Sequence, residues 1–226
     1  MTTTFKSIIA LLMFVMGTAT TVAEDFGNLQ RYAAENAADI KRPLAERRVV
    51  LFGNSITENW RKMRPEFFTG NGFLGRGISG QSTYQFVVRF REDVVNLQPE
   101  IVVINAATND VAENTQPYNE DYTFGNIATL CELAKAAGIK VVLTTTLPAA
   151  RFGWNPSITD APAKIKALND RLAAYAAANG IPFVDYYSAL ADESGALPAS
   201  FSADGVHPND DGYAVMESLL LPVLTR

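Results

Sequence analysis

The sequence predicts an α/β fold: a three-layer α/β/α sandwich around a central, mostly parallel five-stranded sheet. Three observations predict it. Short apolar runs alternate with longer amphipathic stretches along the chain from residue 48 onward. The runs are apolar throughout rather than every second residue, as strands buried on both faces require. The order is strand, helix, strand, helix with no intervening linker, which gives a parallel sheet with helices on both faces in one domain.

Each element can be justified in turn. Asn28 to Asp39 reads as a polar helix ending near Pro43. Val49-Val50-Leu51-Phe52 is the first buried strand, closed by Gly53. Gly72 to Ile78 holds a second, weaker strand. Tyr84 to Leu97 follows as a helix, with Phe86, Val87, Phe90, Val94 and Leu97 at helical spacing and Pro99 as the breaker. Ile101-Val102-Val103-Ile104 is the clearest strand. Asn119 to Ala137 is a helix stopped by Gly138, the residue suited to a left-handed cap. Lys140 to Thr146 is the fourth strand, Pro162 to Asn179 an alanine-rich helix ended by Gly180, and Ile181 to Val184 a short fifth strand. Asn209 to Leu221 closes the chain as a helix capped by Asn209 or Asp210.

Composition narrows the function. Of 226 residues, the first 23 read as a signal peptide: Lys6 is basic, Ile8 to Met16 form a short apolar core, and Thr21-Val22-Ala23 suits cleavage. That run is short for a membrane span, and no cysteine near the cleavage point offers a lipid anchor. The expectation is export to the periplasm or medium, with no stable membrane insertion after cleavage, and a single domain over residues 24–226. The one cysteine, Cys131, lies in an apolar helical stretch and reads as a small buried hydrophobe. With one cysteine and one histidine the chain lacks a cluster of zinc ligands, and a net charge of −5 argues against nucleic acid. No metal and no cofactor is expected.

In open α/β sheets, ligands bind beyond the carboxyl ends of the strands, so the residues after each apolar run matter most. The first strand exits into Gly53-Asn54-Ser55, where a serine hydroxyl suits either a nucleophile on a tight turn or a helix N-cap. The second exits into a loop containing Gly77 and Gly80; the Gly80 N–H suits an oxyanion donor, and the glycines equally suit a plain flexible loop. The third exits into Asn105-Ala106-Ala107-Thr108-Asn109-Asp110, where Asn109 suits a neutral oxyanion donor or a turn before a helix. The fourth exits into a loop bearing Arg151, Phe152 and Trp154, whose aromatics suit stacking on a sugar or pinning the loop to the body. The only imidazole, His207, follows Asp204 in Asp204-Gly205-Val206-His207-Pro208. A serine needs a base to take its proton, and the base needs an orienting group; Asp and His three apart across a turn supply both.

With these blocks in this order, residues 48 to 222 resemble the SGNH hydrolases, the GDSL-like esterase/lipase family. The resemblance implies a flavodoxin-like sheet and a carboxylic ester hydrolase with Ser55, Asp204 and His207 as triad. It also implies an oxyanion hole from the N–H groups of Ser55 and Gly80 with the Asn109 side chain. Two positions depart from the family pattern: Asn54 replaces the aspartate of Gly-Asp-Ser, and Ala107 the glycine of Gly-Thr-Asn-Asp. Asn54 keeps the shape and hydrogen bonding of aspartate; Ala107 costs about 1 kcal/mol or more if its φ is positive. The expected activity is hydrolysis of short-chain, above all acetyl, esters on a small molecule or glycan. The alternatives are a lysophospholipase or thioesterase-type acylhydrolase, and a carbohydrate-binding relative that has lost catalysis.

Overall fold

The computed structural model describes residues 25–225; the expected signal peptide lies outside them. Five strands form one sheet: β1 (Val49–Gly53), β2 (Phe73–Gly77), β3 (Ile101–Ile104), β4 (Lys140–Thr144) and β5 (Phe183–Val184). They stand in the order β2-β1-β3-β4-β5, and every pairing is parallel. The chain starts in the middle, steps one way to β2, then returns past β1 to β3. That reversal leaves a crevice between the exits of β1 and β3. Register makes the exits level: Gly53 lies opposite Gly77, and Phe52 opposite Ile104.

The strand side chains divide by alternation, as a pleated sheet requires. Val50, Phe52, Val102 and Ile104 enter one core with α4 (Thr83–Asp93), α6 (Glu120–Ala136) and α7 (Ala161–Asn179). Val49, Leu51, Val103 and Val142 enter the opposite core with α2 (Ser55–Met63), α3 (Pro65–Asn71) and α9 (Asp210–Leu224). The three layers follow. Cys131 is buried in the first core, where burial pushes its thiol up to about 12.

The boundaries differ from expectation at several points. The first helix is only α1 (Ala33–Asp39), because Asn28 adopts a left-handed φ of 52° and the chain turns before Ala33. The helix expected to reach Leu97 ends at Asp93; Val94 leaves helical geometry, and one 3-10 turn over Val95–Leu97 follows. Gln98 then takes a left-handed φ of 49° and closes that turn ahead of Pro99. The fourth strand stops at Thr144 because the Thr146 N–H turns to the Asn169 side chain. The last helix runs three residues past Leu221 and tolerates Pro222 near its end. The single-turn helices α5 (Thr108–Val111) and α8 (Tyr187–Leu190) are too short to show periodicity.

One buried cation joins the exits of β1 and β2, beside the crevice. Arg89, on α4, has no exposed surface. Its guanidinium donates to Gly53 O at 2.7 Å, Arg76 O at 3.1 Å and Asp93 Oδ2 at 2.9 Å, and Nε donates to Gln81 Oε1. It also lies 4.1 Å over the Phe52 ring. Burial pulls the guanidinium down to about 10, with Asp93 opposing. Removing one partner of such a pair leaves the other charge buried and alone. Arg89→Met is therefore expected to cost about 3–5 kcal/mol in urea denaturation, with much of the loss recovered by adding Asp93→Leu.

Candidate active site

The site is assembled from four loops at the rim where the strands end. Leaving β1, Asn54 caps α2: its Oδ1 accepts the Ile56 N–H at 3.0 Å. The capping role therefore falls to Asn54, and Ser55 becomes the first helical residue with its hydroxyl free for other partners. That hydroxyl lies 2.8 Å from His207 Nε2. As a first-turn group, the Ser55 N–H has no intrahelical acceptor.

His207 sits on a tight turn before α9. Its Nδ1 lies 2.7 Å from Asp204 Oδ2. The other carboxylate oxygen accepts the backbone N–H groups of Val206 at 2.9 Å and His207 at 2.8 Å. Gly205, between them, needs its φ of +79° for the chain to fold back this tightly. Partial burial raises the Asp204 carboxyl, but the His207 N–H, the imidazole and the Val206 N–H outweigh that and hold it at about 2. An ionised carboxylate can only accept, so Nδ1–H is the donor to Asp204, and Nε2 is the ring nitrogen that faces the Ser55 hydroxyl.

Gly80 and Asn109 close the other side. Gly80 has a φ of +79°, and Asn109 Nδ2 donates to Gln81 O at 2.9 Å, which fixes the amide beside the Gly80 loop. Ala107, at the N-cap of α5, has a φ of 77°. The conditional strain noted from the sequence therefore applies, at about 1–2 kcal/mol, offset in part by burial of the methyl group in the core.

Ser55, Gly80, Asn109 and His207 line one cavity of about 370 Å³, together with Asn59, Ser79, Asn114 and Trp154. The three residues from the fourth exit separate. Trp154 lines the cavity, half-exposed, with its ring centroid 6.3 Å from that of His207. Phe152 is a correction: it is fully buried with Val111, Ile158 and Ile165, so it presents no face to a ligand and instead supports Trp154 at 5.3 Å. Arg151 is exposed and does not line the cavity.

Sequence reasoning missed the groups that hold these loops. Glu58, one turn after Ser55, accepts the Ser79 N–H at 2.8 Å and hydroxyl at 2.6 Å, tying the Gly80 loop to the serine's own helix. Burial would raise Glu58, but Lys62 and Ser79 bring its carboxyl down to about 2. Asn114 accepts from Trp154 Nε1 at 2.8 Å and donates to Gly80 O at 3.2 Å, clamping the aromatic to the same loop. The Ser-Ile-Thr-Glu spacing on a helix was the available signal for Glu58; nothing local marks Asn114. Among the described residues, no group of three or more His, Cys, Asp or Glu is placed to hold a metal ion, and no helix is long and apolar enough to cross a membrane.

Comparison with known proteins agrees with this fold. The model of the GDSL-like lipase/acylhydrolase family matches residues 51–215. No curated protein matches the chain. A candidate acylhydrolase from Bacteroides fragilis is 60% identical with a TM-score of 0.87, the match covering 89% of this chain and 98% of the other. A GDSL-like lipase from Bacteroides thetaiotaomicron is 57% identical with the same TM-score and the same coverage, 89% and 98%. An acetyl xylan esterase, AlAXEase, shares the fold at 20% identity and a TM-score of 0.63, over 78% of this chain and 98% of its own.

The Asp204 turn has a pH signature. Its carboxyl lies below the ordinary value near 4, so its contribution to stability is complete above that pH and is lost as pH falls through about 2. Asp204→Asn is expected to melt below the parent at neutral pH. That gap should close between about pH 4 and pH 2 in thermal melts followed by circular dichroism.

Proposed function

The chain belongs to the GDSL-like lipase/acylhydrolase family, and from that premise we propose that it is a serine esterase removing short acyl groups, above all acetyl, from a carbohydrate. The observation that carries this reading is the continuous relay from Ser55 Oγ through His207 to Asp204, at 2.8 Å and 2.7 Å, opening on a small cavity.

In this mechanism Ser55 Oγ attacks the ester carbonyl while its proton passes to His207 Nε2. Asp204 holds the Nδ1–H tautomer and stabilises the imidazolium that forms. The carbonyl oxygen becomes an oxyanion, met by the N–H groups of Ser55 and Gly80 and by the Asn109 amide. The C–O bond to the alcohol then breaks, and His207 returns the proton to the leaving alkoxide. A water molecule, deprotonated by the same imidazole, attacks the acyl-serine and releases the carboxylic acid, restoring the Ser55 hydroxyl.

The cavity supports a small acyl group and a polar alcohol. Its walls are asparagine and serine side chains and a glycine; the one large apolar surface is Trp154. A long acyl chain needs an apolar channel, which these walls do not supply. A half-exposed indole ring beside the reacting groups suits the C–H face of a sugar, and the fold is shared with an acetyl xylan esterase. The reading of residues 1–23 as a signal peptide supports an exported enzyme, acting on substrates in the periplasm or outside the cell.

Ser55→Ala is expected to lower hydrolysis of p-nitrophenyl acetate by about 10,000-fold or more without changing the melting temperature. Undiminished turnover by that variant rejects the assignment. Asn109→Ala should cost about 100-fold in kcat. Across p-nitrophenyl esters, acetate should be the best substrate; a maximum at octanoate or longer would favour a lipid acylhydrolase. Acetate release from a panel of acetylated polysaccharides, with Ser55→Ala as control, tests the carbohydrate assignment.

A further inference from the structure

The cavity at Ser55 continues over its own rim. Ser79, Gly80 and Asn114 line it on one side, and the same three residues line a second depression of about 520 Å³ beyond. The far walls of that depression come from the N-terminal segment, through Asp25, Phe26 and Asn28. Large aromatic side chains in this protein are mostly buried; Phe26, Tyr122 and Trp154 are the exposed exceptions among the described residues. Two of these three line the continuous cleft, Trp154 in the first cavity and Phe26 in the second.

The segment bearing Phe26 is fastened on both sides. The Gln81 side chain donates to Gly27 O at 2.9 Å, and the Gln85 side chain donates to Phe26 O at 3.2 Å. Asn28 N–H closes a turn on Asp25 O at 2.8 Å, with Asn28 in the left-handed region. Gly27 sits so close to Val88 that an added Cβ would lie 2.7 Å from its Cγ1. These contacts hold the backbone down and leave the Phe26 ring 46% exposed.

We propose that this second depression is a subsite for the sugar next to the acylated one, so that the enzyme takes O-acylated oligosaccharides rather than monosaccharides. The proposal rests on the carbohydrate-esterase reading and extends it. A sugar ring has an apolar C–H face and a polar edge. Phe26 offers a platform for the face, and the Asp25 carboxylate and Asn28 amide offer partners for hydroxyls. An acyl tail fits poorly, because apart from Phe26 and the nearly buried Ile78 the walls carry polar groups or backbone. The Asp25 carboxylate also disfavours an acidic sugar, so a neutral glycan is the matching ligand. Binding energy gathered there is remote from the ester and is available to hold the reacting carbonyl against Ser55.

The test compares the full-length enzyme with Phe26→Ala and Phe26→Tyr on p-nitrophenyl acetate, an acetylated methyl xyloside and acetylated xylo- and manno-oligosaccharides. The parent should favour an oligosaccharide over the monosaccharide by about tenfold in kcat/KM, a size in keeping with one aromatic contact. Phe26→Ala should lose that preference, Phe26→Tyr should keep it, and p-nitrophenyl acetate turnover should be the same in all three. A parent that hydrolyses acetylated sugars with no preference for length, or a preference that survives Phe26→Ala, overturns the subsite and leaves the esterase reading standing. A parent that hydrolyses p-nitrophenyl acetate and none of the sugars overturns the carbohydrate reading and the subsite together.

Discussion

The constraint on which the site depends is the buried guanidinium of Arg89. It takes the carbonyl of Gly53, the residue just before Asn54 and Ser55, and the carbonyl of Arg76, at the end of the neighbouring strand, onto one rigid planar group. Through Gln81 it also reaches the loop that presents Gly80 and receives Asn109. Such a pair is a weak source of stability, since an apolar replacement of similar volume is often as stable. What the fork supplies is direction: its donors point at fixed angles, so both strand exits and α4 share one frame. Gly77 completes the frame by absence. A Cβ there would lie 2.2 Å from Glu58 N and 2.5 Å from Asn54 O, so only glycine lets the first turn of α2 rest directly on β2.

Much of this was legible in the chain. The central strands β1, β3 and β4 announced themselves as runs of buried apolar residues, while β2, with Gly75 and Arg76 inside it, read as weaker. The rim residues Ser55, Gly80, Asn109 and His207 could be located because they follow those runs or precede the last helix, and the structure brings all four around one cavity. What could not be read depends on contacts between segments far apart in sequence. Arg89 sits in a helix whose apolar stripe looks ordinary, and an arginine there reads as solvated until the loops close over it. Phe152 and Trp154 are two residues apart and alike in type, yet one faces a core and the other the cavity; a loop has no period from which to tell them apart. Glu58 reads as an exposed helix carboxylate until Ser79 arrives from the next strand exit.

The two departures from the family pattern have different physical meanings. Asn54 is fully buried, and its Oδ1 does the capping that an aspartate oxygen would do. A carboxylate at that depth would have to be desolvated; the amide instead leaves its buried Nδ2 without a partner, at a cost of about 1–3 kcal/mol. Ala107 holds a left-handed backbone that glycine adopts freely. Its methyl group is buried among the apolar residues of the first core, so the strain buys packing one position ahead of the α5 turn that carries Asn109.

His207, with Asp204 on the same turn, is positioned by no strand. Its loop leads into α9, which packs on the sheet and is tied to α2 by hydrogen bonds and a ring stack. The Tyr213 hydroxyl donates to Ile56 O at 2.8 Å, one residue past Ser55, and the Tyr213 ring stacks on Trp60 with centroids 5.6 Å apart. Arg64, at the end of α2, grips Glu217 through two donors at 2.6 Å and 2.9 Å and reaches Asp210 at 2.9 Å. The separation of base and nucleophile is therefore held by these side-chain contacts between α2 and the first half of α9. The sheet and Arg89 fix the oxyanion side of the site, while α2 and α9 fix the proton-transfer side. Ser55 belongs to both, because it is at once the residue after a strand exit and the first residue of α2.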